Sequence, residues 1–317
     1  MAQPASRPVI AVGGENLIDE VTRNGETSTK AGGSPFNVAM ALGRQDARVD
    51  YVSPISTDRW GDILADTLTA SNVRLTARRV DLPTTMARVM IEDGTPTYAF
   101  ERDGTAERAI DIEGLASRFA DADCVHSGSL ALTDGEDAAV WEMALRQAHD
   151  AGRFVSLDPN VRLMVIDDLE AYRDRIRRML GHVHLLKLSD EDLAGLFPGL
   201  SEDDAIASVL DLTSAGLVVM TRGPEGVTAW LDGEAIHVPR APVDQLVDTV
   251  GAGDTFMATL IAGLDRIGRL SPEAIGGLTA TETRDLLRRA SMAAAINCTR
   301  EGCDPPTLTE LETALAE

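Results

Sequence analysis

The sequence predicts an α/β fold. It is a doubly wound, mostly parallel sheet with a small antiparallel β lid, in a single domain over 1–317. Three observations carry this. From Cys124 onward, short apolar strands alternate with amphipathic helices, as right-handed βαβ units require. Two segments, 16–30 and 84–109, instead alternate polar and apolar residues, with turn signals such as Asp93-Gly94. That is the pattern of antiparallel strands, and these segments are the expected lid. Finally, Gly251-Ala252-Gly253-Asp254 stands directly before a long apolar stretch, Met257 to Leu264, which reads as a buried helix.

The elements follow in order. Val9 to Val12 is a buried strand that ends in the Gly13-Gly14 turn. Ser34 to Gln45 is an amphipathic helix entered through Gly32-Gly33, with Ser34 as its N-cap and Pro35 in its first turn. Asp50 to Ile55 is a short strand, and Trp60 to Ala70 is a helix. Then come strand Cys124–His126, helix Gly135–Ala151, strand Phe154–Leu157 and helix Leu169–Leu180. Strand His184–Lys187, helix Ser189–Phe197 and strand Leu217–Met220 complete the alternation. In open sheets of this kind, ligands lie off the carboxyl ends of the strands. Asp158, Lys187, Ser189 and Thr221 are therefore the positions to watch.

Charge narrows the partners. The formal net charge is −22, which disfavours nucleic acid and anionic membrane surfaces. No apolar run approaches membrane-spanning length, and Met1 to Pro8 lacks the apolar core of a signal peptide. Cys124, Cys298 and Cys303 are too few and too scattered for a disulfide framework, so a reducing, cytoplasmic setting is expected. His182 and His184 share one strand face, but no neighbouring ligand set makes them a metal site.

Two glycine-rich loops point to chemistry. Gly251, Ala252 and Gly253 leave the N–H groups of a helix start open to an anion such as a phosphate. Asp254 beside such a site is awkward for binding, which suits a base. Upstream, Gly32-Gly33-Ser34-Pro35-Phe36-Asn37 opens the other helix, and the Asn37 amide donates and accepts as sugar hydroxyls require. Asp158-Pro159-Asn160-Val161-Arg162 and Thr221-Arg222-Gly223-Pro224-Glu225-Gly226 each follow a strand, and alone each reads equally as a turn.

In this order the loops resemble those of the ribokinase-like, or PfkB-type, carbohydrate kinases, across nearly the whole chain. Gly14-Glu15-Asn16-Leu17-Ile18-Asp19, the stretch Tyr98 to Ala106, and Asp304-Pro305-Pro306-Thr307 are most similar to the bacterial fructokinase branch. The resemblance implies ATP-dependent phosphorylation of a sugar hydroxyl, with Asp254 as general base and Gly251, Ala252 and Gly253 as anion hole. It implies sugar contacts from Asp19, Gly33, Ser34, Asn37, Arg102 and Arg162. It places Lys187, Ser189, Thr221, Gly223 and Gly226 along the nucleotide groove, with Asn297 near the adenine. ATP and Mg²⁺ are the implied cofactors, and Asp248 falls where many relatives hold a monovalent cation such as K⁺. The family's Asn-x-x-Glu near magnesium reads Ser189-Asp190-Glu191-Asp192 here, which gives Asp192 the shorter carboxylate for contact with Mg²⁺ through water. Fructose is the leading acceptor, although Glu101 stands where fructokinases often carry an aromatic residue. A 2-keto-3-deoxygluconate kinase would use Arg102 and Arg162 for the substrate carboxylate, and a silent sugar- or nucleotide-binding regulator would be expected to lack the base. Monomer and homodimer are both compatible with the sequence.

Overall fold

The structure, a computed structural model, describes residues 7–316 except 24, 93, 94 and 244. The Asp93-Gly94 turn and the N-terminal segment Met1 to Ser6 lie outside the described residues. Along the chain, β1 (Val9–Val12) leads into β2 (Leu17–Arg23), β3 (Glu26–Gly32) and helix α1 (Ser34–Arg44). Next come β4 (Arg48–Tyr51), β5 (Ile55–Ser56), α2 (Arg59–Ala70), β6 (Val73–Leu75) and β7 (Arg79–Val80). A second hairpin follows, β8 (Thr85–Glu92) and β9 (Thr95–Glu101). The alternating part runs α3 (Ile112–Ala120), β10 (Cys124–Gly128), α4 (Gly135–Asp150), β11 (Phe154–Asp158), α5 (Leu169–Leu180) and β12 (Leu185–Ser189). It continues through α6 (Asp190–Leu196), α7 (Glu202–Leu212), β13 (Leu217–Thr221), β14 (Val227–Leu231) and β15 (Glu234–Val238). Helices α8 (Ala252–Arg266), α9 (Pro272–Ile275), α10 (Ala280–Cys298) and α11 (Leu308–Ala316) end the chain.

Nine strands form one sheet in the order β15-β14-β13-β12-β11-β10-β1-β4-β6. All neighbours are parallel except the pairs β13–β14 and β14–β15 at one edge. Alternate strand residues enter two separate cores. Ile10, Val12, Leu185 and Val219 face α1, α2, α8 and α10, whereas Ala11, Val125, Val155 and Leu186 face α3 to α7. Burial on both faces is why these strands read as continuous apolar runs.

The segments expected to form the lid make a separate sheet, β3-β2-β8-β9. Each hairpin is antiparallel, and the two join through a parallel β2–β8 pairing. Leu17, Ala87 and Leu130 form a small apolar cluster where this sheet meets the body. Helix α1 begins one residue differently from the expectation. Gly33 is its N-cap, at φ 110°, and Ser34 is already helical, so the Ser34 hydroxyl is free for another partner. A Cβ at Gly33 would sit 2.5 Å from the Glu15 carbonyl oxygen, which reserves the position for glycine. Far from this end of the sheet, His149 stacks on His182 and His184 with ring centroids 5.4 and 4.9 Å apart. No group of three or more metal-ligating side chains occurs among the described residues.

Candidate active site

Helix α8 packs between α1 and α10 through a fully apolar face that includes Met257, Leu260, Ile261 and Leu264. Its N-terminus therefore points back at the start of α1. The N-cap, Gly251, has φ 73°, and a Cβ there would lie 2.3 Å from Cys303 Sγ. Asp254 follows in the first turn, buried. The Ser34 hydroxyl donates to its Oδ1 at 2.7 Å, and Asn37 Nδ2 donates to its Oδ2 at 2.8 Å. Burial pushes the Asp254 carboxyl above its usual value, against the opposing pull of these two donors and of Lys187 and Arg162.

A cavity of about 1140 Å³ opens in front of this carboxylate. Glu15, Asp19, Gly33, Ser34, Asn37, Asn160 and Arg162 line it, and Val21, Val89 and Phe100 of the small sheet close its outer side. A second cavity, of about 300 Å³ and mostly apolar, runs past Thr221, Gly223, Gly226, Leu246, Phe256 and Ala294. The two share Thr249 and Gly253, so they meet at the start of α8. A helix start is where unpaired N–H groups and the positive dipole end lie, and Lys187 adds a cation there: its Nζ would be 3.3 Å from a Cβ on Gly253.

Lys187 itself is buried and donates to Asp158 Oδ2 at 2.7 Å. Burial pulls the ammonium down, but the carboxylates of Asp158, Asp192 and Asp254 outweigh it and keep it charged. Burial raises Asp158 to about 6 and Asp19 to about 6. Glu15 is also buried. Its Oε1 accepts from the Ser34 N–H at 2.9 Å, and burial raises its carboxyl to about 7.

Most of the residues singled out from the sequence converge here; six are held in contacts of their own. Arg102 does not line the cavity. It is buried, with Nε on Glu107 at 2.8 Å and further contacts to Thr133, Asp134 and Asp137. Those carboxylates neutralise it, and burial of a guanidinium demands such partners. Asn297 is fully buried away from the groove. Its Nδ2 donates to the Val250 carbonyl at 2.8 Å and its Oδ1 accepts from the Asp304 N–H at 2.9 Å, which clamps the loop before α8. Asp248 lines the larger cavity but has both oxygens engaged, by the N–H groups of Val250 at 3.1 Å and Gly302 at 2.8 Å. Asp192 is likewise occupied, by the N–H groups of Ser189 and Val161. Ala252 donates its N–H to the Thr249 carbonyl at 3.2 Å and lines only the smaller cavity. Ser189 caps α6 and lines neither cavity, while Lys187 lines the larger one. Glu15, Asn160 and Phe256 carried no role in the sequence reading. Glu15 follows the first strand, which is the signal that would have marked it.

A carboxylate that faces both a polar cavity and an anion-receiving helix start is the arrangement of a small-molecule kinase, since phosphoryl transfer needs alignment and charge neutralisation. The pfkB family carbohydrate kinase profile matches residues 8–310, and the chain belongs to that family. It is therefore an ATP-dependent sugar kinase with the ribokinase-like α/β fold. The chain is 37% identical to a fructokinase of Rhizobium leguminosarum bv. trifolii over 272 residues, 84% of this chain and 82% of that one. It is 30% identical to a fructokinase of Klebsiella pneumoniae over 284 residues, 82% of this chain and 91% of that one. A crystal structure of a fructokinase from Xylella fastidiosa with bound ATP superposes with a TM-score of 0.89 at 27% identity, covering 98% of this chain and 99% of that one.

Proposed function

We propose that the protein phosphorylates fructose with ATP, in a single domain whose small sheet acts as a lid. The observation that carries this is the meeting of two cavities at Gly253, with Asp254 held in the wall of the larger one beside that junction. The sugar occupies the polar cavity against Asp19, Gly33, Ser34, Asn37 and Arg162. The adenosine moiety lies in the apolar groove, so its phosphates reach the start of α8. Asp254 accepts the proton of a sugar hydroxyl as that oxygen attacks the γ-phosphorus. The bond from the γ-phosphorus to the bridging oxygen breaks, and ADP leaves with its electron pair. The N–H groups at Gly251 and Gly253, together with Lys187, face the charge carried by the transferred group. With no cage of protein ligands among the described residues, Mg²⁺ fits as an ion carried by phosphates and water, where it neutralises phosphate charge.

The pairing of most of the nearby cations favours fructose over a sugar acid. A carboxylated acceptor such as 2-keto-3-deoxygluconate needs free cations in the sugar cavity. Here Arg102 is neutralised behind the wall, Lys187 is paired with Asp158, and Lys30 is paired with Glu301 at 2.7 Å, which leaves Arg162 as the one cation lining the cavity without a carboxylate partner among the described residues. The acidic Glu15 and Asp19 add repulsion. A coupled ADP-release assay across fructose, 2-keto-3-deoxygluconate, ribose and adenosine tests the proposal. Turnover with fructose at the highest kcat/KM is expected. A higher value with the sugar acid, or no sugar-dependent ADP release, overturns it.

A further inference from the structure

One carboxylate ties the two halves of this site together. Asp192 is 3% exposed, on the first turn of α6. Its Oδ2 accepts from the Ser189 N–H at 2.7 Å, while Ser189 Oγ accepts from the Asp192 N–H at 3.0 Å, a reciprocal cap. That cap is sufficient for α6, yet Asp192 does more. Its Oδ1 accepts a third hydrogen bond, 2.6 Å long, from the N–H of Val161. Val161 lies between Asn160 and Arg162, both of which line the large cavity. Asn160 has φ 41°, an uncommon backbone conformation for a non-glycine residue, which the surrounding structure must hold. The Val161 side chain also packs on α6, since a Cβ at Gly195 would lie 3.3 Å from Val161 Cγ1. The loop after β11 is thus fastened to the helix after β12.

We propose that Asp192 is a positioning residue for the sugar site, holding Asn160 and Arg162 through the Val161 N–H, and not a ligand of magnesium. The geometry requires this particular length. A longer acid still caps α6, because Ser-x-x-Glu is the common capping pair. It displaces the carboxylate by one methylene and so loses the simultaneous bond to Val161. A carboxylate acting on a solvated metal ion would tolerate that change.

The tether rests on the sugar assignment above, so the test separates the two. Fructose binding to the wild-type full chain by calorimetry, without nucleotide or magnesium, tests the assignment. Asp192→Glu and Asp192→Asn test the tether. Charge-assisted hydrogen bonds are among the stronger ones, so both variants should weaken fructose binding at least about tenfold and raise its KM in step. The Mg²⁺ concentration for half activity should stay within about twofold, as expected when the altered contact is remote from the metal. Amide exchange at Val161 should accelerate at least about tenfold in either variant, a readout independent of which sugar binds. Should Asp192→Asn fail to fold, Asp192→Glu retains the cap and carries the test. Unchanged Val161 exchange, or a raised Mg²⁺ requirement with sugar binding intact, overturns the proposal.

Discussion

Replacing Asp254 by Asn separates proton abstraction from the scaffold that surrounds it. The carboxylate is buried and accepts two hydrogen bonds, from Ser34 at 2.7 Å and Asn37 at 2.8 Å. An amide in its place keeps one acceptor, which serves Ser34, and gains a donor that faces Asn37. The Asn37 Oδ1 has no partner among the described residues, so the Asn37 amide turns over and accepts from the new donor. Burial disfavours the native charge, and the neutral amide removes that cost. The change in folding free energy is therefore about 1 kcal/mol or less, a small part of the usual stability. Turnover behaves differently. Loss of a general base costs about a hundredfold or more, which is about 2.7 kcal/mol of barrier. The assay is coupled ADP release at saturating fructose, with a thermal melt on the same sample. A folded Asn variant that retains more than about a tenth of wild-type turnover would refute the base assignment, since general-base effects are larger than that. The wild-type rate should also fall on acidification through the Asp254 carboxyl. Because burial raises that carboxyl, the fall lies above the ordinary Asp value of 3.8.

Three other outcomes follow from the packing. Gly251→Ala places a Cβ 2.3 Å from Cys303 Sγ at φ 73°, so urea unfolding should report a loss of about 1–3 kcal/mol, only partly recovered by adding Cys303→Ala. Lys187→Met leaves Asp158 buried without its partner and should cost about 3–5 kcal/mol, with most of it restored by Asp158→Asn; a single variant as stable as the wild type would show that the pair carries no charge. Glu15 is raised from 4.5 to about 7, so stability falls as pH rises from about 4.5 to about 7, where the unfolded chain ionises and the buried carboxyl does not; there is no cost below about 4.5, and the loss is complete above about 7. Glu15→Gln should therefore gain on the wild type by about 3 kcal/mol between pH 4.5 and pH 8, and a pH-independent difference would contradict the buried ionisation.

The parts of the site legible in the sequence are those where backbone requirements restrict residue type. Gly251 needs a left-handed φ, Gly33 needs room beside Glu15, and both sit at helix starts, where glycine followed by an apolar run is visible in one dimension. Asp254, Ser34 and Asn37 follow from their place in those turns. What sequence could not display is pairing between distant segments. Arg102 looks like a sugar contact until Glu107, Asp134 and Asp137 are brought around it from other elements. Asn297 looks free until Val250 and Asp304 close on its two amide atoms. The apolar groove depends on Phe256 and Ala294, two residues that read as ordinary core positions of their helices. The strands of the small sheet were visible by their alternation, but the parallel β2–β8 pairing joins strands whose order no local pattern encodes.

The hydrogen bonds that hold Asp254 join residues 220 and 217 positions apart in the chain. During synthesis, β1 and α1 are made early, and β10 to β13 follow, all of them before α8. Throughout this period Ser34 and Asn37 exist without the carboxylate that they orient. Helix α8 arrives last among the reacting elements and inserts against α1. The arrangement of Ser34, Asn37 and Asp254 therefore cannot exist until α8 has been made and has packed against α1.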